Sequence, residues 1–189
     1  MSLTAAVAKE FVRVADADGD PLTKMQLQKL VYYAQAWSLV IRDSELIDDD
    51  FQAWQWGPVN GLLWKQLDGI AGNVVPPEQN EFAHLLSKDD VRFIRAVWDS
   101  YSDYSASALS RMTHAEEPWI SARRDLPRDA TSNQIITPSS MSEYHAKQPM
   151  PIPLQHYEEI VLSEEQQASD WLDAHPPTDA GQVRTVIGV

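Results

Sequence analysis

The residues Asp16-Ala17-Asp18-Gly19-Asp20 place carboxylates at alternate positions, the spacing with which a calcium loop opens. The pattern then fails. Pro21 stands where the loop needs glycine, and Leu27 stands where it needs a bidentate glutamate. The segment reads as an acidic turn between helices. His114, Glu116 and Glu117 form the second candidate, since an imidazole and carboxylates this close can share a metal or exchange protons. No partner histidine follows at helical spacing, and His84, His145, His156 and His175 are scattered. The expected role of His114 is to hydrogen-bond backbone at a helix end, with Pro118-Trp119 opening the next helix. There is no cysteine, no nucleophile-elbow or Ser-x-x-Lys pattern and no glycine-rich phosphate loop. Arg123, Arg124 and Arg128 alternate with Asp125 and Asp129, as surface ion pairs do. The sequence thus assigns no catalytic residue, no metal ligand and no cofactor, and no enzymatic activity is expected.

Tryptophan is the more informative residue. Trp54, Trp56 and Trp64 fall within a short stretch, and an extended backbone puts Trp54 and Trp56 on one face. Core packing is the default for aromatic side chains, yet tryptophan is also enriched where proteins bind one another. At least one of these rings is therefore a candidate contact for a partner.

The elements that must position these residues are mainly helical. Thr4 is placed to cap a first helix running to about Ala17, with Val7, Phe11 and Val14 on one side. Thr23 and Gln26 form a capping-box pattern ahead of a helix from Lys24 to Ile41, with Leu27, Leu30, Val31 and Ala34 along one stripe. The acidic run Asp43–Asp50 reads as a solvated loop. Phe51–Trp56 is a short strand or extended connector stopped by Gly57-Pro58, and Val59–Asp68 reads as a helix. Helices are then expected near Ser87–Tyr101, Ser105–Met112, Pro118–Arg124 and Ser139–Lys147. Three prolines within Gln148–Pro153 mark the end of the globular part, before an acidic helix from Ser163 to about Ala174 and a flexible end. The expected organisation is one compact, mainly helical (all-α) domain over 1–148, and a proline-rich linker, acidic helix and tail over 149–189.

A net charge of −13, from 28 acidic and 15 basic residues, disfavours nucleic-acid binding, which draws its affinity from basic groups on phosphates. It suits encounter with a basic partner. No secretory signal is visible at the N-terminus and no apolar run is long enough to span a membrane, so a soluble cytoplasmic protein is expected.

Four segments, taken in order, resemble one known family. Thr23–Gln35, reading TKMQLQKLVYYAQ, is similar to the T-x-x-K-L-x-K-L-x-Y-Y-A-Q helix of the SocA-like, or Panacea, antitoxin domain. The residues of this family-motif helix singled out are Lys24, Lys29, Leu30, Tyr32, Tyr33 and Gln35. Phe51–Val59 resembles that family's F-x-A-W-x-x-G-P-V element, and Leu109–Trp119 its L-S-x-x-T-H-x-E-x-P-W element. Ile136-Thr137-Pro138 with Met141 and Tyr144 resembles its closing helix, while the tail after Gln148 lies outside the pattern. The family includes phage-associated GepA-type proteins. The resemblance implies an antitoxin that neutralises a cognate protein toxin, typically encoded by an adjacent gene, through direct contact. Some members act instead as adaptors that deliver the toxin to a protease, and a phage-associated role on a host factor is a further alternative. The expected partner surface is a groove rimmed by Trp54 and Trp56 and by the element containing His114, Glu117, Pro118 and Trp119, with Gly57 and Pro58 fixing the turn.

Overall fold

The computed structural model describes residues 2–74, 83–127 and 129–174. Among these the chain is mainly helical, as expected, with eight α-helices and one small sheet. The order is α1 (Leu3–Ala17), α2 (Lys24–Ile41), β1 (Phe51–Trp54), β2 (Gly57–Asn60), α3 (Gly61–Gln66), α4 (Lys88–Tyr101), α5 (Ala106–His114), α6 (Glu117–Arg123), β3 (Ile135–Ile136), α7 (Pro138–His145) and α8 (Ile152–Ala174). None of these helices is long and apolar enough to cross a membrane.

Helix α2 is the axis of the molecule. Its capping box is formed as expected: Gln26 N–H donates to Thr23 Oγ1 and Thr23 N–H to Gln26 Oε1. The sequence suggested one apolar stripe, but every residue from Leu27 to Ser38 is buried, because α1, α4, α5, α7 and β2 all pack around it. A helix enclosed on all sides must find internal partners for its polar side chains. That requirement organises the site described below.

Other expectations shift for local reasons. Ser2, not Thr4, caps α1, and Thr4 Oγ1 instead donates to Asp49. The acidic loop after α2 is not wholly solvated: Leu46 and Ile47 are buried, and both their N–H groups donate to Gln35 Oε1 at 2.9 and 3.0 Å. The helix expected from Val59 begins only at Gly61, because residues 57–60 form a strand paired antiparallel with β1 in the order β2-β1-β3. Asn60 then caps α3 by accepting from Leu63 N–H at 2.9 Å. Asp18 of the acidic turn accepts from Trp98 Nε1 at 2.8 Å and pairs with Arg95, which ties the turn to α4.

Helix α8 starts at Ile152 rather than near Ser163. Pro151 and Pro153 fit its opening, where backbone N–H groups lack helical partners anyway. Leu154 and Tyr157 are buried, Tyr157 edge-on to Phe93 of α4, and Arg92 bonds Glu164 further along the helix. The expected flexible end, residues 175–189, lies outside the described residues, as does Arg128.

Candidate functional site: an aromatic groove on a buried polar scaffold

The polar residues of α2 act as fasteners. Gln28 and Asn60 bond reciprocally, Asn60 N–H to Gln28 Oε1 at 2.9 Å and Gln28 Nε2 to Asn60 O at 3.2 Å. Lys29 Nζ donates to Pro58 O at 2.9 Å. Both contacts fix β2 against the helix. The hairpin's two central residues, Gln55 and Trp56, keep negative φ, so the left-handed conformation falls on Gly57 at φ +97. A Cβ there would lie 2.6 Å from Lys29 Nζ and 2.8 Å from Thr113 Oγ1. Glycine is therefore needed both for the turn and for the close approach of the lysine.

Tyr32 and Tyr33 donate to the two oxygens of buried Glu116, at 3.0 and 2.7 Å. Burial pushes the Glu116 carboxyl above its usual range, against the two phenol bonds and the charge of Lys29. Burial also raises both tyrosines, with Glu116 adding to the effect, so they stay phenols and donate. Lys29 is lowered to about 7 by burial, opposed by Glu116. His145 is lowered to about 4 by burial; its Nδ1–H donates to Met141 O at 2.9 Å. Its Nε2 lies 3.8 Å from Glu116 Oε2 and makes no hydrogen bond among the described residues. Tyr33 stacks on Tyr101 at 4.2 Å, and Trp37 Nε1 donates to the Tyr101 hydroxyl at 2.7 Å. At the centre of this network both oxygens of the Glu116 carboxyl accept from phenols inside the core.

On the outer side of the hairpin lies a groove of about 690 Å³, walled by Trp54, Trp56, Trp64 and Met25, with Lys29 and Gln28 on its floor. Trp56 is 60% exposed and Trp64 42%, while Trp54 is half-buried with its ring edge-on to Trp64 at 5.5 Å. Two of its three indole N–H groups are already used. Trp54 donates to Gln52 Oε1 at 2.8 Å, and Trp56 donates to Gln55 at 2.7 Å when that amide is turned to satisfy both its neighbours. These two walls therefore offer ring faces rather than donors. A second cleft, of about 590 Å³, lies on the other side of Trp56 and is lined by His114, Ser110, Arg111 and Asp129.

The expected partner residues separate into two groups. Trp54 and Trp56 share the groove, as alternation suggested, although Trp56 sits in the turn rather than in the strand. His114 is half-buried with its ring nitrogens against Gln55 O (2.8 Å) and Ser110 O, and its ring is edge-on to Trp119. It fastens the hairpin turn to α5. Glu117 is exposed on α6, away from the groove lining. Gly57, Pro58, Pro118 and Trp119 are buried, so they position the tryptophans and present no surface themselves. Trp119 Nε1 donates to Trp54 O at 2.8 Å from behind the strand. Of the helix-motif residues, Lys24 lies at the groove rim, Leu30 is core, and Lys29, Tyr32, Tyr33 and Gln35 are the fasteners described above.

Sequence reasoning missed three participants. Trp64 was counted in the aromatic cluster but not placed at the site. Arg123 was read as a surface ion pair; it is buried, donates to Ala53 O, Pro127 O and Ala130 O, and lies over the Trp119 ring. Glu116 was considered only for metal binding or acid–base chemistry, yet it is the acceptor at the centre of the core network. Nothing in local composition separates these roles, because each depends on what the fold brings alongside.

Fold and site define a mainly helical domain in which a buried polar network holds an aromatic hairpin and groove at the surface. The antitoxin SocA-like, Panacea domain matches residues 27–120, from the second turn of α2 into α6. Over these residues the chain resembles the SocA-like, Panacea family. Antitoxin SocA of Caulobacter vibrioides (strain NA1000 / CB15N) is 35% identical over 125 residues, which cover 60% of this chain and 66% of that protein. The chain thus spans just under two thirds of the length of this curated relative. No solved structure matches it.

Proposed function

We propose that this protein is an antitoxin that acts in the cytoplasm without catalysis, neutralising a cognate protein toxin by holding one of its segments in the Trp54–Trp56–Trp64 groove. The observation that carries the reading is the exposure of Trp56 and Trp64 beside a concavity in which the Trp54 and Trp56 indole donors are already satisfied. Large apolar faces held open by a rigid scaffold favour a protein partner, and tryptophan is the residue most enriched at binding hot spots. The family resemblance, and the printed name of the Caulobacter relative, supply the class of partner. The buried polar network beneath accounts for rigidity, so little ordering is required when the partner arrives. The acidic stretch of α8, with Glu158, Glu159, Glu164 and Glu165, steers a basic toxin toward the domain.

The test is co-expression with each neighbouring gene, scored by growth and then by co-purification. One neighbour should arrest growth alone, be rescued by this protein and co-purify with it. Trp56→Ala should weaken that complex by about 2–4 kcal/mol while leaving the fold intact. A rescued toxin whose capture is indifferent to Trp56 sinks the groove assignment. A captured toxin that is destroyed only when a host protease is present favours delivery over blockade.

A further inference from the structure

The groove has a local charge opposite to that of the molecule. The chain carries 28 acidic and 15 basic residues, yet no carboxylate lines the groove among the described residues. Lys29 is the charged side chain on its floor, and at its rim Lys24 places Nζ 5.7 Å from the Trp64 ring centroid. An ammonium has three donors, and Pro58 O takes one from Lys29. The walls, by contrast, offer indole faces, with the N–H groups of Trp54 and Trp56 already engaged. An occupant complementary to both is an apolar or aromatic group that carries an anion, since charge complementarity across an interface selects the partner and its register. We infer that the groove receives a carboxylate-bearing apolar segment of the protein partner, with the carboxylate directed to Lys29 and the apolar group between the tryptophan faces. This rests on the reading of the groove as the partner site and specifies its chemistry.

The inference has a pH signature. The groups that face Lys29 are Glu116 at the α5–α6 junction, with Tyr32, Tyr33 and His145 beyond it, and Lys24 at the rim. Both tyrosines remain phenols, and His145 remains neutral above about 4. In the free protein Lys29 loses its charge near 7 because it is buried. A carboxylate beside it holds the proton on, so binding takes up a proton above that pH. Affinity for an acid is therefore flat below about 7 and declines as pH rises further.

The experiment titrates the full chain with 3-phenylpropionate and with its neutral isostere 3-phenylpropionamide, following the indole N–H resonances. At about pH 6 the acid should bind at least about tenfold more tightly than the amide, shifting Trp54, Trp56 and Trp64. The preference should vanish near pH 9.5 and in Lys29→Met. Equal affinity for acid and amide at pH 6, no saturable shift with either, or a preference that survives Lys29→Met overturns the inference. The pH comparison uses the wild-type chain, so it stands even if Lys29→Met does not fold. Failure here with partner capture still dependent on Trp56 removes the carboxylate and leaves the groove. Success here with capture indifferent to Trp56 keeps the ligand chemistry and removes the groove as the toxin's site.

Discussion

Substitution Gly57→Ala tests the scaffold at its tightest point. Alanine would have to adopt φ +97, a left-handed conformation that costs an L-residue about 1–2 kcal/mol. Its methyl group would lie 2.6 Å from Lys29 Nζ and 2.8 Å from Thr113 Oγ1, so the ammonium must leave Pro58 O. Losing a buried hydrogen bond to a charged group adds about 1.5–3 kcal/mol. The sum, about 2.5–5 kcal/mol, is a large share of the 5–15 kcal/mol that stabilises a typical domain. Urea unfolding followed by circular dichroism measures it directly. Gly61→Ala is the control, because a Cβ there meets only Gln52 Nε2 at 4.0 Å. The effect should also be coupled: in a Lys29→Met background, Gly57→Ala should cost distinctly less, since one clash has gone. A Gly57→Ala protein within 1 kcal/mol of wild type, or strict additivity with Lys29→Met, would refute the account of a lysine held by close approach to glycine.

Three further outcomes follow from the same network. Glu116→Ala leaves two buried phenols without an acceptor and should destabilise by about 2–4 kcal/mol, whereas Glu116→Gln, which can still accept, should lose clearly less on the same urea curves. His145 titrates near 6.5 when unfolded and at about 4 when folded, so between those values the unfolded chain binds the extra proton and stability falls with falling pH. Wild type should therefore lose up to about 3 kcal/mol more than His145→Leu between pH 7 and 4; parallel unfolding midpoints for the two proteins would contradict this. Glu116, raised by burial, works in the opposite sense and is present in both, so the difference between the two proteins isolates the histidine. Trp119→Phe keeps a ring in place but removes the bond to Trp54 O, and should lower stability by about 1 kcal/mol and broaden the Trp54 indole resonance.

Local interactions made much of this protein legible from its sequence. The bounds of α2 and its capping box could be read because they rest on residues three apart in the chain: Thr23, Gln26 and the apolar spacing beyond them. The absence of phosphate-loop and nucleophile motifs was equally local, and the family resemblance rested on residue types in order. What surrounds a residue could not be read in this way. Lys29, Tyr32, Tyr33 and Gln35 look like the solvated face of an amphipathic helix until α1, α4, α5, α7 and β2 close around it. Burial then turns them into fasteners and shifts their proton affinities. Likewise, Trp54, Trp56 and Trp64 were one aromatic cluster in the sequence, with Trp119 expected at the same partner surface. The hairpin register places Trp56 in the turn, and α6 carries Trp119 buried against β1, so the first three line a groove while the fourth supports it from beneath. The sequence by itself determined most of the elements and carried the family resemblance, because helix signals act over a turn or two. The tertiary structure alone decided which side chains are buried and which remain available to a partner, because exposure depends on contacts between residues up to 84 apart in the chain.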